Sequence, residues 1–235
     1  MTELKLNPGA QVQRRFVGRE QNPLIVIDDL LLNPEDLVEA AAAAEFATPE
    51  GTWYPGGNAP FPESYLPTLM PVLRPTLERA FDIPRAAPLT ISGFFALATK
   101  TADQLSALQK IPHYDQPNPA CLAILHYLGR DQKGGTGFFR HSATGYESIT
   151  VGRRETYMGA VAEALETTPP AGFAGPDTAH YEMIESVAPN FNRMVIYRSH
   201  VLHCALFEGA HLSPDPRTGR LTANTFCVPQ PMPAN

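Results

Sequence analysis

Residues 121–140 read CLAILHYLGRDQKGGTGFFR: an apolar run, a polar turn with paired glycines, and a second short run closing on two phenylalanines. Apolar runs this short, bounded by glycine and charged turn residues, predict strands over Cys121–Leu128 and Thr136–Arg140. Gly134-Gly135 reads as a turn and not as a phosphate cradle, because no helix opening on Lys-Ser/Thr follows it. Working outward, the same pattern predicts strands over Leu89–Thr99, Lys110–Asp115, Tyr181–Val187, Arg193–Tyr197, Val201–Phe207 and Arg220–Val228. Toward the N-terminus, Pro23-Leu24-Ile25-Val26-Ile27-Asp28-Asp29 predicts another strand. A helix follows, with Asn33 as cap, Pro34 in first position and Leu37, Val38 and Ala41 facing inward to about Ala44. A second helix is expected over Leu66–Phe81 and a third over Arg153–Glu166, the latter followed by a Pro/Gly-rich loop. The expected class is mainly β with flanking helices. One domain is expected over 1–235, with strand and helix support in 1–87, a β core in 88–228 and an insertion at 140–179.

Composition narrows the function. The chain has 235 residues, 43% hydrophobic and 18% charged, enough to bury an ordinary core. Its 24 prolines argue against a helical bundle. Eighteen Lys+Arg against 24 Asp+Glu leave a net charge of −6 with no long basic run, which disfavours a nucleic-acid partner. Three cysteines, Cys121, Cys204 and Cys227, lack CxxC spacing, so neither a disulfide framework nor a zinc knuckle is expected. The opening MTELKLNPGAQVQRR carries no apolar signal region, and no apolar run approaches the roughly 20 residues of a membrane span. The expected setting is the cytoplasm, away from membranes.

His113-Tyr114-Asp115 carries the chemistry. On a strand, residues i and i+2 share a face, so an imidazole and a carboxylate can converge on one cation. These are two of the three ligands in the facial triad of non-haem iron(II) oxygenases. A third ligand must come from a later strand, and 193–204 offers His200 and His203 among Val, Ile, Leu and Cys. Burying an imidazole there requires a partner or a metal. Farther on, Arg220 and Thr222 share a face of the last strand and can offer a guanidinium and a hydroxyl to one carboxylate.

Together these pieces resemble the 2-oxoglutarate/iron(II)-dependent dioxygenases, most closely their prolyl-hydroxylase-like branch. The matching pieces are Pro112-His113-Tyr114-Asp115, Leu125-His126-Tyr127-Leu128, Gly134-Gly135-Thr136-Gly137-Phe138-Phe139, the apolar strand 192–199, His203, and Gly219-Arg220-Leu221-Thr222. They cover about 88–228 in the family's order. The chain departs from the pattern at Gly129, where a polar residue is usual, and in the length of 140–179. The resemblance implies a double-stranded β-helix (jelly-roll) core, with iron(II) held by His113, Asp115 and His203. It places His203, after the Arg198-Ser199 turn, ahead of His200. The implied cosubstrates are 2-oxoglutarate and O₂, with Arg220 gripping the distal carboxylate and Tyr127 and Thr222 within reach of it. The implied reaction is hydroxylation of a C–H bond in a peptide, protein or amino-acid-like substrate, a free small metabolite being second choice. Two other classes stand beside it: a non-catalytic β-helix binding domain, and a cupin-like protein that uses its metal without 2-oxoglutarate.

Three expectations concern the periphery. Trp53 and Tyr54 are read as anchors on the core, or else as part of a ligand mouth. His126 is expected on the outer face of its strand, and His141, His180 and His211 in solvent. The insertion is either a substrate lid or a homodimer surface, with Tyr157, Met158, Val161 and Leu165 forming an apolar stripe.

Overall fold

Adjacent residues on the central strands separate cleanly into two environments, and that alternation places the site. In the computed structural model, which describes residues 3–48 and 54–230, the chain runs as follows. It opens with β1 (Gln11–Val17), β2 (Asn22–Asp28), α1 (Glu35–Ala42), β3 (Gly56–Ala59), α2 (Tyr65–Phe81) and β4 (Leu89–Ala98). It continues with β5 (Leu122–Tyr127), β6 (Gly135–His141), α3 (Arg154–Thr167), β7 (Tyr181–Val187), β8 (Met194–Arg198), β9 (His203–Leu206) and β10 (Arg220–Pro229). A seven-stranded sheet has the order β1-β2-β8-β5-β10-β4-β3, and a smaller sheet has the order β7-β6-β9. All pairings between these strands are antiparallel.

From β4 onward the chain crosses repeatedly between the two sheets. β4, β5, β8 and β10 lie side by side in the larger one, while β6, β7 and β9 make the smaller. An isolated bridge, His113 to His203, adds the segment between β4 and β5 to the edge of the smaller sheet at β9. The chain is thus mainly β, with two antiparallel sheets and three α-helices among the described residues.

Period-2 burial follows. On β8, Met194 and Ile196 pack with the helices, while Val195 and Tyr197 face between the sheets. On β5, Leu122 and Ile124 join the helix side, and Ala123 and Tyr127 the interior. The helix side is a single cluster that includes Leu37 of α1, Leu69, Leu73 and Leu77 of α2, and Leu221 and Ala223 of β10. Each fully buried leucine there contributes roughly 1.5–3 kcal/mol. The prolines of α2 suit this packing: Pro67, Pro71 and Pro75 recur every fourth residue on its exposed side, so the carbonyls they leave unbonded meet water.

Several elements differ from expectation. Residues 110–115 form no strand; a short 3₁₀ turn over Ala107–Lys110 leads into the single bridge at His113. β1 and β3 were not foreseen. Asn33 does not cap α1 with its side chain, which instead accepts the Lys5 N–H (2.7 Å). Tyr157 and Val161 of α3, each 3% exposed, pack with Phe139, Leu202 and Cys204 on the back of the smaller sheet. The apolar stripe is thus spent within the chain, and of its members Met158 alone is an exposed large hydrophobe. Among the described residues no helix is long and apolar enough to cross a membrane.

Candidate metal centre and carboxylate pocket

The bridge that brings His113 to β9 also builds a ligand cluster. The His113 N–H donates to the His203 carbonyl (2.9 Å) and the His203 N–H to the His113 carbonyl (2.8 Å). Two residues on, the Asp115 N–H donates to the Ser199 carbonyl (2.8 Å), which turns the carboxylate toward the two rings. One ligand atom from each of His113, Asp115 and His203 lies within 4.8 Å of the others. Asp115 Oδ1 is 3.8 Å from His113 Nε2, and Oδ2 is 3.7 Å from His203 Nε2.

The second sphere fixes the chemistry of this cluster. His203 Nδ1 lies 2.9 Å from the Val201 carbonyl, an acceptor only, so that nitrogen carries the proton and Nε2 presents its lone pair to the cluster. The Tyr197 ring lies 4.7 Å from the His203 ring and fixes its plane. Burial holds His203 neutral down to about 4. Desolvation, with His203 alongside, also lowers His113, although its side chain keeps 46% exposure at an open mouth. Burial pushes Asp115 up to about 6 against the pull of His113. Two neutral imidazoles and a carboxylate reluctant to hold its charge are suited to a divalent cation, which would favour the ionised carboxylate. His113, Asp115 and His203 are the side chains that would hold such a cation.

Deeper between the sheets lies a buried cation. Arg220 is 5% exposed at the start of β10, and no acidic side chain pairs with it among the described residues. Its Nη2 donates to the Gly135 carbonyl (3.0 Å), its guanidinium stacks 4.8 Å from the Phe207 ring, and its Nε has no partner. A buried charge without a counter-charge costs several kcal/mol, so this group is set for an anion.

Hydroxyls surround it. Thr222 faces Tyr127 across β10 and β5. The Tyr127 hydroxyl bonds Thr136 Oγ1 (2.6 Å), and Thr222 Oγ1 reaches the Ala96 carbonyl at 3.5 Å. Tyr54, which precedes β3, sets its hydroxyl against Arg220 and Thr222. Burial raises the pKa of Tyr54, Tyr127 and Tyr197, so all three remain O–H donors. Tyr197 lies between the two centres, feeling Asp115 on one side and Arg220 on the other.

The structure therefore brings His113, Asp115 and His203 together, and separately gathers Arg220, Tyr127 and Thr222. His200 is absent from both and sits among Arg198, Glu20 and Arg153. His126 lies on the outer face, buried, between the Tyr65 hydroxyl (3.1 Å) and Asn192 Oδ1 (3.2 Å). His141 corrects the expectation of a solvated residue: it is 1% exposed, bonded to Thr144, with its ring 5.2 Å from Tyr157. His180 is half-buried, whereas His211 is exposed as expected. Trp53 lies outside the described residues. Tyr197 is a site residue to which the sequence assigned no role, whereas Tyr54, read as a core anchor or else as part of a ligand mouth, stands beside Arg220.

Gly129, where the chain departs from the pattern, and Gly135, which matches it, both have close contacts. A Cβ on Gly129 would lie 3.0 Å from the Gly219 carbonyl, so a side chain there needs the neighbouring backbone to yield by a few tenths of an ångström. Gly135 has φ +110°, and a Cβ there would lie 2.2 Å from the Val187 carbonyl. Since its own carbonyl holds Arg220, Gly135→Ala is expected to lower stability by about 1–3 kcal/mol and to disturb the carboxylate pocket. Thermal melting would show it, and an unchanged Tm would refute it.

Comparison with known proteins gives a family and distant folds. A family model described as "Family of unknown function (DUF6445)" matches residues 8–227. A search of curated proteins finds no significant match. Among solved structures the chain is similar to SnoN, the non-heme alpha ketoglutarate dependent epimerase from nogalamycin biosynthesis. That likeness has TM-score 0.48 and 12% identity, covering 89% of this chain and 80% of that one. It is also similar to an N-substituted L-amino acid dioxygenase from Burkholderia ambifaria AMMD (0.43, 12%, 96% and 94%). A third is HygX from Streptomyces hygroscopicus with nickel and 2-oxoglutarate bound (0.43, 14%, 91% and 87%). At that distance no residue role passes from them to this chain.

Proposed function

The chain belongs to the family of unknown function DUF6445, and we propose that it is an iron(II)- and 2-oxoglutarate-dependent oxygenase that hydroxylates a C–H bond. The observation that carries this reading is the pairing, between the same two sheets, of a His–Asp–His cluster with a buried guanidinium that no acidic side chain pairs with among the described residues. A 2-oxo dicarboxylate matches both: its oxo-acid end suits a cation on His113, Asp115 and His203, and its far carboxylate suits Arg220. When bound, iron(II) and 2-oxoglutarate supply decarboxylation to succinate and CO₂, coupled to oxidation of a substrate by O₂.

The chain's own residues would then bind, orient and exclude water. Arg220 neutralises the far carboxylate, and the hydroxyls of Tyr54, Tyr127 and Thr222 give it directed donors. Tyr54→Phe is expected to weaken 2-oxoglutarate binding about tenfold, as for one charge-assisted hydrogen bond. An unchanged dissociation constant by calorimetry would exclude that contact. Phe138, Val195 and Tyr197 keep the space between the sheets apolar and dry. The carboxylate at Asp115 supports hydroxylation over halogenation, in which halide takes that ligand's place.

The motif resemblance to the prolyl-hydroxylase-like branch supports a peptidyl or amino-acid-like substrate, entering where His113 meets solvent. A small free metabolite is the second choice. Three buried free thiols support a cytoplasmic setting. The test is succinate release from 2-oxoglutarate by the purified protein under air, with and without iron(II). Iron-dependent succinate is expected. Metal binding without 2-oxoglutarate consumption would instead favour a cupin-like protein, and binding of neither would leave a non-catalytic domain.

A further inference from the structure

The segment that carries His113 and Asp115 has little regular structure of its own, being a single bridge that leaves a 3₁₀ turn. Such a segment must be fixed by something else if its ligands are to keep their aim. The decisive unit is the peptide joining Pro112 to His113. Its N–H donates to the backbone carbonyl of His203 (2.9 Å), the opposing ligand. Its carbonyl accepts a hydrogen bond from the Tyr157 hydroxyl (3.2 Å) on α3. The plane of this peptide is thus held at both ends, and that plane sets the backbone direction from which the His113 side chain departs.

Tyr157 is well placed to hold it. The residue is 3% exposed on the back of the smaller sheet, and its hydroxyl also lies 2.9 Å from that of Tyr181 on β7. Since Tyr157 donates to Pro112, Tyr181 must donate to Tyr157. The His141 ring stands edge-on to Tyr157 at 5.2 Å and prevents the phenol from swinging away. Tyr114, between the two ligands, meets the same ring at 6.1 Å.

We infer that Tyr157 is a positioning residue for the metal centre, and that the 140–179 insertion exists in part to bring its hydroxyl to the Pro112–His113 peptide. This rests on the metal reading above. The partners that orient metal ligands typically change metal affinity 10–100-fold when removed. Tyr157→Phe keeps the ring and deletes only the hydroxyl.

Titration with Co(II) alone, monitored by calorimetry, provides the test without turnover. Tyr157→Phe is expected to weaken Co(II) binding about tenfold, whereas Tyr181→Phe, which leaves the bond to Pro112 intact, stays within about twofold of wild type. Should Tyr157→Phe fold poorly, the double variant Tyr157→Phe/Tyr181→Phe removes both members of the hydroxyl pair and restores stability, since neither hydroxyl is left orphaned. It is expected to bind Co(II) as weakly as Tyr157→Phe. Wild-type affinity in either variant lacking the Tyr157 hydroxyl, or an equal loss in Tyr181→Phe, would overturn the inference while leaving the metal reading intact. Failure of the wild-type protein to bind Co(II) would overturn both, while His113→Ala serves as the control that loses the metal in either case.

Discussion

Arg220→Met is expected to raise the dissociation constant for 2-oxoglutarate by about two to four decades while leaving the ligand-free protein no less stable than wild type. The two halves have one cause. Arg220 is a buried cation set against the Gly135 carbonyl, the Phe207 face and the Tyr54 hydroxyl, with no acidic partner among the described residues. Replacing a buried charge with an apolar group of similar volume is often neutral or stabilising. Once a dicarboxylate is present the balance reverses. Removing one partner of a buried ion pair costs about 3–5 kcal/mol, and each 1.4 kcal/mol is tenfold in affinity. Calorimetric titration of 2-oxoglutarate, with thermal melting of the same samples, checks both. An unchanged dissociation constant would remove Arg220 from the pocket. A large fall in Tm would make the guanidinium a structural tie to Gly135 instead.

The second large effect concerns the ligands. His113→Ala and His203→Ala are each expected to weaken Co(II) binding by about two decades and to abolish iron-dependent succinate release. Four-ligand protein sites bind zinc with roughly 10–16 kcal/mol, so one ligand is worth about 3 kcal/mol. The fold should survive in both variants, because the bridge between 113 and 203 is made by backbone groups that alanine retains. His200→Ala provides the contrast: it lies outside the cluster and should leave Co(II) binding unchanged. Equal binding by His203→Ala and wild type would refute the ligand assignment.

Much of this arrangement was legible in the sequence where the signal was local. The β5 and β8 runs are mostly apolar and buried on both faces, so their strands stand out, and Arg220 and Thr222 of β10 share a face by simple alternation. What was missed had weak or non-local signals. β1 is an edge strand whose polar residues face solvent, and β3 is four residues with two glycines. The segment leading to His113 carries a local signal for turns in place of a strand. Thr101 with Gln104, and Ser106 with Gln109, are capping boxes that announce the 3₁₀ turns before His113. His141 ends a strand beside a tight turn, which reads as exposed until α3 covers it. Tyr54 reaches Arg220 and Tyr157 reaches Pro112 across long stretches of chain, and nothing in either local sequence marks those meetings.

A single measurement goes to the proposed linkage between the metal cluster and Arg220: calorimetric titration of 2-oxoglutarate into the protein with and without Co(II). If one molecule spans both sites, binding has a stoichiometry of one, is strong only with the metal present, and collapses in both Arg220→Met and His203→Ala. Binding of equal strength with and without Co(II), or none in either condition, would contradict it.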